Sequence, residues 1–320
     1  MKLFFLIPCH NNAGTVEEVI AGLPREVAGF DAVASMVVDA GSTDGTVAAA
    51  RRAGADHVVR LPHPRGVVNG CLEGLNRCLA QDADAVVILD AEGIYSLDAI
   101  PHLVAPIVSK QADLVVGDRG AEARAGSGAI KGLVHRVAAW AVAALGGGAV
   151  ADPQCSFRAL SREAAMRLSA GTQRTFAESV IQAGHLNLPT ASVAVQVVGS
   201  PRNKTRPVRY MTRAVATAVR VSMSYQPFRV FAVPGSALCL GGVLIGARFT
   251  YAYMAGIAPG MVQSLILGSL LLSAGAFLIL CGVLAELLSA NRALEEDLRF
   301  RLMNLQGRLR RFARGTGPAS

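Results

Sequence analysis

The stretch Val86-Val-Ile-Leu-Asp-Ala-Glu-Gly-Ile-Tyr95 decides the fold of this chain. Its first four residues are apolar, and so short a run containing two valines predicts a buried strand rather than a helix. The strand ends at Asp90 and Glu92, at the edge where open α/β sheets bind ligands. Two carboxylates at a strand-to-turn bend can hold Mg²⁺ or Mn²⁺. Water and phosphate oxygens would complete the coordination shell of the cation. The alternative is that Asp90 caps a turn and Glu92 is solvated.

The rest of the first 120 residues alternates short apolar runs with helical patterns, which is typical of βαβ units on a parallel sheet. Strands are predicted at 3–7, 34–38, 57–61, 86–89 and 112–116, with a final pair within 185–199. Helices are predicted at 15–23, 47–53, 66–80, 161–169 and 175–183. Thr15 and Glu18 have the spacing of a capping box at the first helix. The pattern predicts an α/β domain over residues 1–205.

The later part of the chain is unusually apolar. The 320 residues are 52% hydrophobic and only 17% charged, and the length favours about two domains. Residues 230–247 and 261–285 carry no charge, and each run can cross a hydrocarbon core of roughly 30 Å. We therefore predict transmembrane helices at about 230–254 and 261–287, within a hairpin at 230–288. The alternative is a pair of buried core helices.

The charges around the two apolar runs predict their orientation. Residues 202–229 contain seven basic side chains and no acid. The segment after Asn291 contains seven arginines and three acids. The connection 248–260 carries only Arg248. Both ends of the hairpin should therefore face the cytoplasm. The five consecutive apolar residues near the N-terminus are too few for a signal peptide, so the first domain is also expected in the cytoplasm.

The net charge of +8 predicts an anionic partner. Nucleic acid is disfavoured, because the few aromatic residues do not interleave with the basic clusters. The basic juxtamembrane segment 206–229 either lies on anionic lipid or is an ordinary positive-inside flank. The six cysteines contain no C-x-x-C pair and are expected to be free thiols in a reducing compartment.

The tail at 289–320 is expected to be basic, cytoplasmic and partly helical. It carries a leucine stripe with helical spacing, formed by Leu294, Leu298, Leu302, Leu305 and Leu309. This stripe either lies on the membrane or pairs with a copy of itself, which leaves a homo-oligomer open.

Further motifs follow the other predicted strands in order. They are Ile7-Pro8 with Asn11, Val37-Val-Asp39 with Gly41-Ser-Thr-Asp-Gly-Thr46, Asp113-Leu-Val-Val-Gly117 with Arg119, Asp152-Pro-Gln154 with Phe157-Arg158, and Arg202-x-Lys204. Together with the acidic stretch at 89–92, these motifs resemble the family 2 glycosyltransferases. More narrowly, they resemble the polyprenyl-phosphate glycosyltransferases, the group of dolichyl-phosphate mannose synthase. The resemblance covers residues 3 to about 206, and the hairpin resembles that of bacterial members with two membrane helices.

This resemblance implies a fold and a location. The fold is α/β, a GT-A catalytic domain that is Rossmann-like with a mostly parallel sheet, followed by a C-terminal transmembrane hairpin. The location is the inner membrane, crossed more than once, with the catalytic domain and both termini in the cytoplasm.

The resemblance also implies roles for individual residues. The nucleotide-sugar site would contain Pro8, Asn11, Asp39, Ser42, Asp90 and Ala91, with Asp39 reading the base. Asp90 and Glu92 match the metal-binding Asp-x-Asp motif, for Mg²⁺ or Mn²⁺. The catalytic set would be Asp90, Glu92, Arg119, Gln154 and Arg158. The acceptor phosphate would meet Arg119, Arg158, Arg202 and Lys204, since arginine is the better bidentate partner.

The expected reaction is the metal-dependent, inverting transfer of a sugar from a nucleotide-diphosphate sugar to a polyisoprenyl phosphate. A lipid phosphate is already ionised at neutral pH, so catalysis would need positioning and charge neutralisation rather than a strong base. One rival is a membrane-tethered family 2 enzyme with a glycan or glycerolipid acceptor.

A second rival is a non-catalytic membrane protein with a decayed transferase domain. It draws on departures from the family pattern at Ala40, Glu92, Ile94, Ser156 and around Asn69-Gly70.

Overall fold

The structure is a computed structural model of the 320-residue chain. It describes residues 1–62, 66–120, 142–143, 150–170, 176–199, 223, 227–255 and 262–313. The chain forms two compact units. We call Met1–Ala214 with Glu296–Ser320 the head, and Val215–Glu295 the hairpin. The predicted phosphate-binding residues Arg202 and Lys204, and most of the basic segment 206–229, lie outside the described residues.

The described part of the head is built on a seven-stranded sheet with the order β3-β2-β1-β4-β6-β5-β7. The strands are β1 (Lys2–Cys9), β2 (Ala32–Asp39), β3 (His57–Arg60), β4 (Ala85–Ile88), β5 (Leu114–Asp118), β6 (Arg158–Ser161) and β7 (Thr190–Ala194). Strands β1 to β4 run parallel, whereas β6 is antiparallel to both β4 and β5. The carboxyl ends of β1, β2 and β4 therefore meet at one edge of the sheet.

Six helices of the described head connect or flank these strands. They are α1 (Val16–Ala21), α2 (Thr46–Arg52), α3 (Val67–Ala80), α4 (Ile100–Val108), α5 (Arg162–Ala170) and α6 (Phe176–His185). Helix α3 packs closely on the sheet, because a Cβ at Gly74 would lie 3.1 Å from Val38 Cγ2 and closer still to Leu6. Strand β1 is buried from Leu3 to Cys9, as expected for a parallel strand covered on both faces.

The structure confirms the predicted α/β class and corrects three of its elements. Strand β6 was not predicted, because four residues that begin with an arginine show no apolar run. It forms by pairing with β4 and β5 on either side. The segment 185–199 contains one strand, β7, rather than a pair, and its far end forms an isolated bridge between Tyr95 and Val197 instead of a second strand. Helix α4 was not predicted either.

The hairpin contains α7 (Pro227–Met254) and the first part of α8 (Val262–Ala313). Two stretches are long and apolar enough to cross a membrane, Pro227–Met254 and Gln263–Asn291. Only 11% and 17% of the residues in their most apolar windows are buried. Core helices of a water-soluble domain would be mostly buried, so the structure does not support the alternative of two core helices.

Glycines bring the two hairpin helices together. A Cβ at Gly235 would lie 2.9 Å from the carbonyl oxygen of Gly275, and one at Gly242 would lie 2.8 Å from that of Gly268. In lipid no hydrophobic effect drives helices together, so helix pairs there rely on close packing. Small residues such as glycine allow the backbones to approach closely enough for this. These four glycines, which we call the glycine seam, were not predicted from the sequence.

The described part of the tail, up to Ala313, is helical, because α8 continues to that residue. The five leucines of the leucine stripe are 57–69% exposed. Another face of the helix packs on α5 within the head. There the Arg167 guanidinium lies 4.5 Å above the Phe300 ring, and the Ser169 hydroxyl lies 3.9 Å from the Met303 sulfur. Whether the stripe meets a membrane or a second copy stays a prediction.

Candidate active site

The first part of the site is the carboxylate of Asp39, the last residue of β2. Asp39 is completely buried. Its Oδ1 accepts a hydrogen bond from the Ser42 backbone N–H at 3.0 Å. Its Oδ2 accepts no hydrogen bond from any described residue, although it is shielded from solvent. A buried oxygen without a donor is uncommon in native proteins, so Oδ2 is well suited to accept a hydrogen bond from a ligand.

Arg60 is a neighbour of Asp39 that the sequence analysis missed. It ends β3 and stands opposite Asp39 in the parallel register of β2 and β3. Its Nε lies 3.4 Å from Asp39 Oδ2, and its Nη2 donates to the Ser42 carbonyl at 3.1 Å. The side chain is 65% exposed. The signal that would have revealed it is the position of a basic residue at the carboxyl end of the strand beside Asp39.

Asn11 and Ser42, both predicted to contact the nucleotide, join the two loops that follow β1 and β2. The Asn11 N–H donates to Ser42 Oγ at 2.9 Å, and Asn11 Oδ1 accepts from the Thr43 N–H at 2.9 Å. Asn11 has a φ of 56°, a left-handed conformation in which asparagine is enriched. These hydrogen bonds fix the conformation of the two loops around Asp39, so both side chains have a structural role at the site.

Pro8 and Ala91 bring no charged or hydrogen-bonding side chain to the predicted nucleotide site. Both residues are buried, Pro8 within β1 and Ala91 within the acidic turn. The Ala91 carbonyl accepts a hydrogen bond from the Thr15 hydroxyl at 2.6 Å. Thr15 makes no side-chain cap of α1, so the predicted capping box is wrong. The hydroxyl instead ties the start of α1 to the acidic turn.

Asp90 and Glu92 follow β4 at the same sheet edge as Asp39. Asp90 Oδ1 accepts a hydrogen bond from the Glu92 N–H at 3.0 Å, so Asp90 does close a turn, as the alternative held. Glu92 is half-buried rather than fully solvated. Burial raises the pKa of Asp90, and the nearby negative charge of Glu92 raises it further. Two carboxylates held this close favour an added positive charge.

These two carboxylates fit a divalent cation. Mg²⁺ is typically bound through one or two protein carboxylates, while water and substrate phosphates supply the other ligands. The part of the chain that the structure describes holds no group of three or more His, Cys, Asp and Glu side chains that could bind a metal. A cation at Asp90 and Glu92 would therefore need substrate phosphate oxygens to complete its coordination. This is typical of a substrate-linked cation rather than of a structural metal site.

Ser156 connects the acidic turn to an aromatic pair. Its Oγ lies 3.4 Å from Asp90 Oδ2 and 3.4 Å from the Tyr95 hydroxyl. The Tyr95 ring stacks on Phe157 with 5.3 Å between centroids, and burial raises the pKa of Tyr95. The serine that departs from the family pattern thus adds a hydroxyl beside the predicted metal ligand.

Arg119, predicted to bind phosphate, forms a bidentate ion pair with Asp152. Its Nε lies 2.5 Å from Asp152 Oδ2 and its Nη2 lies 2.9 Å from Oδ1. Burial alone would lower the pKa of Arg119, but the Asp152 carboxylate outweighs it and holds that pKa above its usual value. Asp152 is 1% exposed, whereas the Arg119 side chain is 24% exposed. Arg119 is therefore fixed in place with one edge open.

Arg158, also predicted to bind phosphate, is placed differently. It is 1% exposed, and its guanidinium donates to the carbonyls of Pro153, Cys155 and Phe176 and to the Ser179 hydroxyl. Burial lowers its pKa to about 10. The described contacts make Arg158 an organiser of the loop before β6.

Gln154 is half-buried in that same loop. The predicted residues Arg202 and Lys204 follow Gly199 by three and five positions in the sequence. Gly199 itself is tied to the acidic turn, since its N–H donates to the Ile94 carbonyl at 3.1 Å. The structure thus brings Asp39, Asp90 and Glu92 to one sheet edge, while Arg119 follows β5 and Gln154 lies in the loop before β6.

Sequence comparisons find relatives of the head. The chain matches the family described as glycosyl transferase family 2 over residues 4–168, just over half of its 320 residues. An uncharacterized glycosyltransferase of Mycobacterium tuberculosis is 38% identical over 114 residues, 36% of this chain and 47% of that protein. Glycosyltransferase AglJ of Haloferax volcanii is 31% identical over 161 residues, 49% of this chain and 50% of that protein. The chain spans about half the length of these curated relatives.

Solved structures share the fold. Glucosyl-3-phosphoglycerate synthase from Mycobacterium tuberculosis, in complex with phosphoglyceric acid, has a TM-score of 0.54 and 25% identity, covering 69% of this chain and 79% of that one. The same enzyme with Mn²⁺ and uridine-diphosphate-glucose has a TM-score of 0.53 and 23% identity, covering 68% and 77%. Because the family match covers over half of the sequence and includes Asp39, Asp90 and Glu92, this chain belongs to glycosyl transferase family 2.

Proposed function

We propose that this protein transfers a sugar from a nucleoside-diphosphate sugar to a polyisoprenyl phosphate at the cytoplasmic face of a membrane. One observation carries the proposal. The buried Asp39, whose Oδ2 accepts no hydrogen bond from a described residue, ends β2, and the acidic pair Asp90 and Glu92 follows β4; both strands run parallel to β1, one on each side of it. The same chain carries two helices long and apolar enough to cross a bilayer.

In this proposal the base of the donor binds beside Asp39, and its diphosphate binds beside Asp90 and Glu92. Asp39 Oδ2 would accept a ring N–H of the base, and the acidic pair would face the diphosphate. Complexes of glucosyl-3-phosphoglycerate synthase with uridine-diphosphate and with Mn²⁺ and uridine-diphosphate-glucose support a donor of this class. The Mn²⁺ complex, together with a complex of the same enzyme with Mg²⁺ and uridine-diphosphate, also supports Mg²⁺ or Mn²⁺ as the cofactor.

Asp90 and Glu92 would hold this cation. When bound, a divalent cation supplies positive charge that stabilises the departing nucleoside diphosphate. The residues of the chain supply the rest. Arg119, fixed by Asp152, offers its open edge to a phosphate oxygen, and Arg158 holds the loop that carries Gln154. Thr15 and Ser156 restrain the acidic turn, so that little reorganisation is needed when charge develops.

The acceptor proposal rests on the hairpin and on charge. A polyisoprenyl phosphate presents an ionised oxygen at the membrane surface, and direct attack on the anomeric carbon would invert its configuration. That oxygen forms the new glycosidic bond, while the bond to the nucleoside diphosphate breaks and its electron pair leaves with the diphosphate. Arg202 and Lys204 would bind the acceptor phosphate. The short separation in sequence from Gly199, which is bonded to the acidic turn, supports this placement.

A second acceptor class has its own support. One solved relative holds phosphoglyceric acid, a small phosphorylated acid, so a soluble acceptor of that chemistry is an explicit rival. A growing glycan or a glycerolipid is another. The non-catalytic alternative would have to explain why a buried acceptor at Asp39 and an acidic pair persist at one sheet edge.

The test uses the full-length chain in detergent with Mn²⁺, a panel of nucleoside-diphosphate sugars, and either C55 polyprenyl phosphate or 3-phosphoglycerate. We expect a lipid-linked sugar and free nucleoside diphosphate, both lost when the metal is chelated and restored by Mn²⁺. Product only with 3-phosphoglycerate would overturn the lipid acceptor. Nucleotide binding without product would move the proposal to a glycan or glycerolipid acceptor. Neither binding nor product would favour the non-catalytic protein.

A further inference from the structure

The residues directly after the acidic turn at 90–92 pair with a short segment at 196–199, which we call the strap. The Ile94 carbonyl accepts hydrogen bonds from two strap N–H groups, that of Val198 at 2.8 Å and that of Gly199 at 3.1 Å. The strap and the chain that leaves the acidic turn are therefore joined backbone to backbone, two residues after the turn ends.

The strap is also held to other parts of the head. The Val195 N–H, just before the strap, donates to the carbonyl of Asp118, the last residue of β5, at 2.9 Å. The Gln196 carbonyl accepts from the Ser96 N–H at 3.0 Å. Moving the strap away from the acidic turn would break backbone hydrogen bonds of this kind, which proteins rarely leave unmade.

Gly199 approaches the acidic turn closely. A Cβ at Gly199 would lie 2.9 Å from the Gly93 carbonyl oxygen and 3.1 Å from the Ile94 Cα. Both are backbone atoms, so they cannot rotate aside as the end of a side chain could. Gly93 follows Glu92 directly and has a φ of 67°, a conformation that glycine adopts far more readily than other residues. A side chain at position 199 would therefore displace the backbone next to Glu92.

From this contact we infer that Gly199 is a positioning residue for the cation site, because its missing side chain sets where the turn places the Glu92 carboxylate relative to Asp90. This inference rests on the proposed function, in which these two carboxylates hold a divalent cation. Asp90 lies two residues after β4 ends, so the sheet restrains it. Glu92 is joined to Gly93 by a peptide bond and moves with it. Residues that orient metal ligands in this way tune the affinity of the metal.

The expected effect differs between cations. Mg²⁺ requires near-octahedral geometry with oxygen ligands at about 2.0–2.1 Å, whereas Ca²⁺ accepts flexible geometries at about 2.3–2.6 Å. A small displacement of one carboxylate should therefore weaken Mg²⁺ binding more than Ca²⁺ binding. Loss of folded protein would reduce the binding of both cations alike. The ratio of the two affinities thus separates a positioning role from general destabilisation.

The first experiment uses the full-length chain in detergent, with whichever of UDP, dTDP, GDP, CDP and ADP binds best. Calorimetric titration with Mg²⁺ and with Ca²⁺ in the presence of that nucleotide compares Gly199→Ala with the unaltered chain. We expect Gly199→Ala to weaken Mg²⁺ binding by about tenfold or more, and Ca²⁺ binding by a smaller factor. Gly14→Ala is the matched control, because a Cβ at Gly14 meets nothing within 4 Å, and it should change neither affinity.

A second measurement needs no variant and decides the matter if Gly199→Ala does not fold. Hydrogen exchange of the unaltered chain reports how often the Val198 and Gly199 amides break their bonds to Ile94. If the strap holds the turn in its cation-binding shape, saturating Mg²⁺ and nucleotide should slow this exchange by about tenfold or more, because the ligands stabilise the paired state. The amide of Ser109, at the exposed end of α4, is the internal control and should not change.

The outcomes separate this inference from the proposed function. Unchanged Mg²⁺ affinity of Gly199→Ala, equal losses for Mg²⁺ and Ca²⁺, an equal loss in Gly14→Ala, or unchanged exchange at the strap would each overturn the inference while the nucleotide site stands. Failure of all five nucleotides to bind the unaltered chain would overturn the proposed nucleotide-sugar donor, and this inference with it.

Discussion

The head buries its large apolar side chains, whereas the hairpin exposes many of its own. Leu3, Leu6 and Ile7 of β1 are completely buried, whereas Leu244 of α7 and Leu288 of α8 are 69% and 71% exposed. In the head, apolar side chains pack against one another and leave water. In the hairpin they point outward, and glycines let the two helices touch. An apolar residue therefore marks a core in one unit and an outer surface in the other.

Polar groups follow the same division. The head encloses Arg158 completely and satisfies its guanidinium with carbonyl and hydroxyl oxygens. In the hairpin, the Glu286 carboxylate accepts a hydrogen bond from the Phe228 N–H at the start of α7, at 3.3 Å. A carboxylate at a helix N-terminus also faces the positive end of the helix dipole. Substitutions in each unit should therefore act through different forces.

The largest expected effect comes from Asp90→Asn in the head. It removes a charge at the sheet edge without changing the packing of β4, so turnover should fall by about 10³-fold or more while folding is kept. Asp98→Asn, at an exposed position, is the control. Initial rates and circular dichroism of both variants check this. Full activity of Asp90→Asn would rule out its proposed role at the metal.

Arg158→Met should cost the head about 3 kcal/mol of unfolding free energy, because several buried carbonyls would lose their donor at once. Arg77→Met provides the comparison, since Arg77 is an exposed partner of Glu73. Thermal unfolding of the full chain would show the head transition shifting for Arg158→Met only. Equal stability of the two variants would mean that Arg158 is free to serve a ligand after all.

Gly275→Ala should destabilise the hairpin by about 2 kcal/mol through overpacking. Its Cβ would lie 2.6 Å from the Gly235 carbonyl oxygen, whereas a Cβ at Gly246 meets nothing within 4 Å. Gly246→Ala is therefore the matched control. Titration with a denaturing detergent should separate the two variants. Identical midpoints would show that the glycine seam does not hold the helices together.

The smallest effect is expected for Glu286→Gln. The amide can still accept from Phe228, so only the charge at the helix N-terminus is lost, which costs about 0.5–1 kcal/mol. Glu295→Gln, at an exposed position on α8, should change nothing in the same titration. A loss of several kcal/mol would instead identify Glu286 as a larger structural element of the hairpin.

The sequence alone determined the class of the head and most of its strands. Runs such as 3–7 and 86–89 are apolar throughout, and the polar turns that end them are local features of the chain. The same locality made Asp39, Asp90 and Glu92 visible, because each lies at or within a few residues of the end of an apolar strand, and parallel strands bring their carboxyl ends together. Length and absence of charge likewise sufficed to predict the two apolar helices.

Only the tertiary structure decided the rest, since it depends on partners distant in sequence. Strand β6 exists because β4 and β5 both offer it hydrogen bonds. Arg158 looks like any arginine after a polar loop until folding encloses it, and Arg60 gains meaning only from its register with Asp39. The glycine seam requires two helices to meet. Hydrophobic pattern and turn chemistry are properties of neighbouring residues, whereas burial of a charge and the pairing of an acceptor with a donor arise when separate elements pack.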